Sequence, residues 1–124
     1  MSAYYVLLGR EQHADGSVTA LYRSEIHAQG AWNPNEQHMA PATGIVSKEL
    51  EKFQIREDMR IGKISLDIFG LIHFGEFTIH TRMIRTGKTI ELIEAEMKSQ
   101  GKTCIVARAW RIMFQDTSHI AGLE

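Results

Sequence analysis

The chain has 124 residues, 44% of them hydrophobic and 23% charged, with 14 basic against 15 acidic side chains for a net charge of −1. That length suits one domain, here residues 1–124, burying roughly two-thirds of the surface its unfolded chain would expose, and the composition argues against disorder. The near-balance of charge gives no electrostatic reason to expect a nucleic-acid partner, because such binding rests on a basic surface that neutralises phosphates. The lone Cys104 excludes an internal disulfide and a cysteine-rich zinc site. No apolar run reaches the roughly 18 residues of a membrane span, and Met1 to Gly9 lacks the charged start of a secretory signal, so the expected compartment is the cytoplasm, with no membrane partner.

Taken in chain order, Tyr4 to Gly9 reads as an apolar strand and Asp15-Gly16 as a hairpin turn. Val18 to Ser24 reads as the returning strand, with Val18, Ala20 and Tyr22 on one face. A loop then carries Trp32, Asn33-Pro34-Asn35 and His38. Pro41 suits the first turn of a helix, where its missing N–H costs nothing. From there Thr43, Val46, Ser47, Leu50 and Phe53 fall on one face, with Lys48, Glu49, Glu51 and Lys52 on the polar side, which predicts an amphipathic helix over about Pro41 to Phe53.

Beyond the helix the period becomes two. Ile64, Leu66 and Ile68 alternate with polar residues in Gly62 to Phe69, and Phe77, Ile79, Thr81 and Met83 do so in Glu76 to Arg85. Thr86-Gly87-Lys88 reads as a turn. In Thr103 to Phe114 the residues Cys104, Val106, Arg108, Trp110, Ile112 and Phe114 share a face. Thr89 to Gln100 is rich in helix formers, but Gly87 and Gly101 flank it and alternating segments lie on both sides, so a strand is expected there. The order predicts an α+β fold in which an antiparallel sheet wraps one central helix.

The six histidines include no pair at metal-ligand spacing on a helix, and no phosphate loop, nucleophile elbow or dinucleotide fingerprint occurs, so neither a metal nor a cofactor is expected. His38, in a polar loop just before the helix, is the main site candidate, with Glu36 the acid nearest the helix start and Asn33 beside them. Arg82 and Arg85 suit a phosphate, or else they pair with glutamates on neighbouring strands.

Trp32, then His38-Met39-Ala40-Pro41 running into Ile45-Val46-Ser47-Lys48-Glu49-Leu50-Glu51, resembles the entry and central helix of the TesB-like acyl-CoA thioesterases, whose fold is the hotdog. Ile64 to Gly75 is similar to that family's second strand and turn, Thr81 to Glu91 to its arginine-rich hairpin, and Ala107-Arg108-Ala109-Trp110-Arg111 to its closing strand. The likeness runs from about Trp32 to Ile112 and covers only the N-terminal of the family's two hotdog units. It implies an acyl-CoA or related acyl thioester as ligand, bound at a subunit interface of a homodimer. Backbone N–H groups near Met39, Ala40 and Ala42 would polarise the carbonyl, and His38, Ser47 or Glu36 would position water, with Asn33, Arg82 and Arg85 contacting substrate. Met39-Ala40 stands where relatives have Gly-Gly, and Ser47 stands nine residues after the histidine, where single-unit relatives carry an acid. That departure keeps open a catalytically silent binding or assembly module, or one half of a heterodimeric thioesterase.

Overall fold

The computed structural model describes residues 5–24, 39–70 and 75–113. Six strands, β1 (Tyr5–Gln12), β2 (Val18–Ser24), β3 (Met59–Ile68), β4 (Glu76–Arg85), β5 (Ile90–Ser99) and β6 (Lys102–Met113), form one sheet in the order β1-β2-β4-β5-β6-β3, and every neighbouring pair is antiparallel. One helix, α1 (Met39–Lys52), connects β2 to β3 and lies on the concave face against β5, β4 and β6. This is the α+β architecture expected from the sequence, with β1 and β3 as its two edges.

The β1–β2 turn forms because Asp15 accepts hydrogen bonds from the Ser17 hydroxyl (2.6 Å) and backbone N–H (2.9 Å), while Gly16 takes φ +88°. The Ser17 hydrogen bonds hold the Asp15 carboxyl below its ordinary range. Within Thr89 to Gln100 lies the strand β5 (Ile90–Ser99), as the flanking turns require. Its glutamates are spent across strands: Glu91 on Arg111, Glu94 on Arg82 and Arg108, and Glu96 on the Thr103 hydroxyl. Ile93, Ala95 and Met97 then face the helix, fully buried.

Two faces differ from the sequence reading. The buried stripe of α1 is Ala42, Ile45, Val46, Glu49 and Leu50, continued by Phe53 just past its end, while Thr43 and Ser47 sit at its flank, half-buried. Glu49 is therefore a core residue with 3% exposure, not a member of the polar face. On β6 the helix-facing side is Ile105, Ala107, Ala109 and Arg111, and the larger Trp110 and Ile112 turn to the convex face. Small residues win the inner face because the helix backbone must approach closely, and Ala20, Ala95, Ala107 and Ala109 supply that floor at 0% exposure.

Candidate functional site

The helix opens at Met39. The first four N–H groups of an α-helix have no partner within it and lie at the positive end of its dipole. Here the first four residues are Met39, Ala40, Pro41 and Ala42, and Pro41 has no N–H, so three donors remain; no acidic side chain occupies this turn. Such an end is suited to an oxyanion or a polarised carbonyl oxygen. The Ala42 side chain is fully buried and serves packing.

Seven residues beyond Ala40, two helical turns and about 10 Å along the axis, Ser47 returns to the same face. Gly44 lies between them, exposed, and a Cβ added there would touch nothing within 4 Å. A glycine inside a helix costs about 1 kcal/mol relative to alanine. Packing among the described residues gives no return for it, which leaves this flank free for close approach.

Glu49 marks the opposite flank. It is two residues on from Ser47, about 200° around the helix. Its Oε2 accepts from the Arg10 guanidinium of β1 (2.6 Å) and from the Tyr22 hydroxyl of β2. Burial, then the Glu49 carboxylate, push the Tyr22 hydroxyl well above its ordinary pKa. With Glu49 turned toward β1, the Ser47 flank turns toward the other edge, β3. There Leu66, Ile68 and Phe69 are 39%, 54% and 65% exposed. Leu66 and Ile68 pair with Ala107 and Ile105 of β6 and so share their concave face, yet α1 does not cover them.

Arg82 lies elsewhere. It pairs with Glu94 (3.0 Å), which also holds Arg108 (2.8 Å), on the convex face, and Arg85, opposite Leu92, is exposed. The sheet stands between these arginines and Ser47. His38, Glu36 and Asn33 lie outside the described residues, as does Trp32. Among the described residues no group of three or more metal-ligating side chains occurs, and no helix is long and apolar enough to cross a membrane. Sequence reasoning missed Glu49 and Arg111, both buried charges. The i, i+3, i+4 spacing of Ala42, Ile45, Val46 and Glu49 was the available signal for the first, overruled by its charge.

The profile of the acyl-CoA thioesterase N-terminal domain family matches residues 28–112. The chain belongs to this family. Its fold is that of hotdog proteins. The PaaI protein of the Escherichia coli phenylacetic acid degradation operon superposes with TM-score 0.70 at 10% identity, over 90% of this chain and 80% of that one. A thioesterase of Haemophilus influenzae gives 0.66 at 16% identity, over 90% and 84%. A hypothetical thioesterase of Streptococcus pneumoniae, solved with coenzyme A, gives 0.70 at 12% identity, over 90% and 89%. No curated protein sequence matches the chain. For this acyl-CoA thioesterase N-terminal domain the family match rests on sequence, and the distant structures establish the fold.

Proposed function

We propose that this protein binds an acyl-CoA or a related acyl thioester in a cleft between two subunits and hydrolyses it. The observation that carries the reading is the geometry of α1: its first turn, which holds no acidic side chain, and Ser47 share the flank that faces the exposed apolar residues of β3. The thioester carbonyl oxygen rests on the N–H groups of Met39, Ala40 and Ala42. Water attacks the carbonyl carbon, the C–S bond breaks, and the proton passes to the leaving thiolate. His38, Ser47 or Glu36 orients or activates that water, with Asn33 beside them. Arg82 and Arg85 fall outside this arrangement.

The second subunit is a second copy of the chain, joined along β3. An edge strand with exposed Leu66 and Ile68 invites such pairing, and a two-fold axis there continues the sheet. The TesB-like kinship enters here too, and with it the alternative that a separately encoded C-terminal unit takes the place of the second copy. The reading places the protein in the cytoplasm, in keeping with a buried free thiol at Cys104.

One observation favours a silent binding module instead. The helical acid nearest Ser47 on the buried side, Glu49, is committed to Arg10 and Tyr22. A panel of acyl-CoA esters with thiol detection, run beside calorimetric titration of the same esters, separates the readings. Thiol release supports the enzyme. Binding without release supports the silent module. Neither would remove both.

A further inference from the structure

Four apolar side chains meet on the convex face of the sheet, on the side away from α1 and from the cleft proposed above. Leu92 lies opposite Trp110, and Ile90 opposite Ile112, on the neighbouring strands β5 and β6. Side chains paired in this way touch, so the four form one block. Ile90 and Ile112 are 37% and 48% exposed, and Leu92 and Trp110 are half-buried. Gly62 of β3 extends the block: a Cβ there would meet Ile112 Cδ1 at 2.6 Å, so the isoleucine spreads over the glycine. Exposed apolar residues scattered singly need no explanation, but a contiguous block of them does.

The block is bordered by cations. Arg85 stands opposite Leu92 and Lys63 opposite Trp110. Both are exposed, and neither forms an ion pair with any described residue. One convex position further along, Glu94 lies between Arg82 (3.0 Å) and Arg108 (2.8 Å), and it is the one carboxylate in these rows among the described residues. Arg108 bonds it through Nε, which leaves the terminal nitrogens for a second carboxylate. Arg82, Arg85, Arg108 and Lys63 thus set four positive charges against one negative, around an apolar centre, in a chain whose net charge is −1.

That pattern selects the occupant. A second copy of the same face would set like charges against like across a two-fold axis. A nucleic-acid backbone satisfies the cations but leaves the apolar block against a polar surface. A bilayer needs apolar side chains that sink past the headgroups, whereas Leu92 and Trp110 sit half-buried among longer arginines. An apolar centre holding tryptophan and bounded by arginine is the make-up of a protein interface, and its charge asks for carboxylates. We infer that this face docks an acidic amphipathic segment of a partner protein, its apolar side chains on Leu92 and Trp110 and its carboxylates on Arg82, Arg85, Arg108 and Lys63.

The test titrates the full chain by calorimetry with a synthetic amphipathic peptide, leucines along one side and glutamates on the other, and with a twin carrying glutamine for every glutamate. The glutamate peptide should bind with Kd on the order of 10 μM at low salt, weaken as salt rises, and bind more tightly than its twin by on the order of tenfold. Arg85→Glu, at an exposed and unpaired position, should keep the parent's Tm, weaken the glutamate peptide by on the order of tenfold and leave the glutamine twin unchanged. Ile112→Thr should weaken both peptides. Equal affinity for the two peptides, an unchanged glutamate-peptide affinity in folded Arg85→Glu, or no binding at concentrations on the order of 1 mM would overturn the inference. So would tighter binding to phosphatidylserine vesicles or to duplex DNA than to the glutamate peptide.

Discussion

Arg111 and Glu91 stand opposite each other on β6 and β5 as a buried pair, Nη2 to Oε1 at 2.6 Å, and the same guanidinium closes the end of α1. Its Nη1 donates to the carbonyls of Phe53 (2.6 Å) and Gln54 (3.1 Å), groups that a helix terminus leaves without partners. Gln54, at φ +40°, turns the chain out of the helix at that point. One side chain thus ties the central helix to the middle of the sheet. Arg111→Leu leaves the buried Glu91 carboxylate only its longer contact with Arg56 (3.4 Å) and strips the helix carbonyls of their donor, and should cost about 3 kcal/mol in urea unfolding. Glu91→Leu added to it should recover most of that loss, because the uncompensated charge goes with it. A double variant no more stable than Arg111→Leu would show that the helix carbonyls dominate.

Tyr22 sets the alkaline limit of stability. Burial, followed by the Glu49 carboxylate that its hydroxyl bonds, raises its pKa in the folded state, against about 10 in the unfolded chain. Below pH about 10 both states hold the proton and the contribution is complete. Above it the unfolded chain releases a proton that the folded chain keeps, so stability falls by about 1.4 kcal/mol per pH unit until the folded value is reached. Tyr22→Phe should be less stable at neutral pH, having lost the bond to Glu49, yet should flatten this decline. Unfolding free energies measured between pH 8 and pH 11, both on the order of the tyrosine range, check both the sign and the residue.

Glu49 also marks where the sequence was legible and where it was not. Alternation of apolar and polar residues gave β2 and β4 with their faces, and the glycine-bounded turns gave β5 against its helix-forming composition, because those signals are local. The helix itself was plain from Val46, Leu50 and Phe53. Its rotation was not, since a glutamate at a core position looks solvated until Arg10 and Tyr22, 39 and 27 residues away, are brought to it. The outward turn of Trp110 and Ile112 was hidden for a like reason: only the helix overhead dictates that alanines take the inner face. At the candidate site, Ser47 and the helix opening were legible as spacing along one helix. Which flank of α1 they occupy required knowing where Glu49 points.

Gly87 tests the β4–β5 turn. A Cβ built there would run into the backbone carbonyl of Ile90, which cannot step aside as a flexible side chain would. Gly87→Ala should cost about 2 kcal/mol through forced backbone movement. Gly44→Ala, on the open flank of α1, should instead stabilise the isolated subunit by about 1 kcal/mol through helix propensity. Thermal unfolding of the two variants side by side distinguishes a glycine needed by the fold from one the fold does not need.

Exposed Leu66 and Ile68 on the edge strand β3 make the proposed subunit interface directly testable. A lysine on an edge opposes pairing with a second chain. Ile68→Lys should convert a dimer to a monomer in light scattering without unfolding it, because the side chain is already 54% exposed within the subunit. It should also abolish thioester turnover. Loss of turnover with the dimer intact would place the site away from β3.

Ser47 carries the sharpest test of the proposed chemistry. It is half-buried, on the face of α1 that the first-turn N–H groups of Met39 and Ala40 also occupy, nine residues after His38. A serine hydroxyl holds water but does not take its proton unaided, whereas a carboxylate does both, and a positioned general base contributes on the order of 10²-fold or more. Ser47→Asp should therefore raise acyl-CoA turnover by about that factor, read as thiol release under saturating substrate. Ser47→Asn, with the same shape and no base, should not. If the two variants gain equally, the position serves to orient water rather than to deprotonate it. If neither changes turnover while Ile68→Lys abolishes it, the base comes from the partner subunit or from the His38 loop, and Ser47 is only a wall of the cleft.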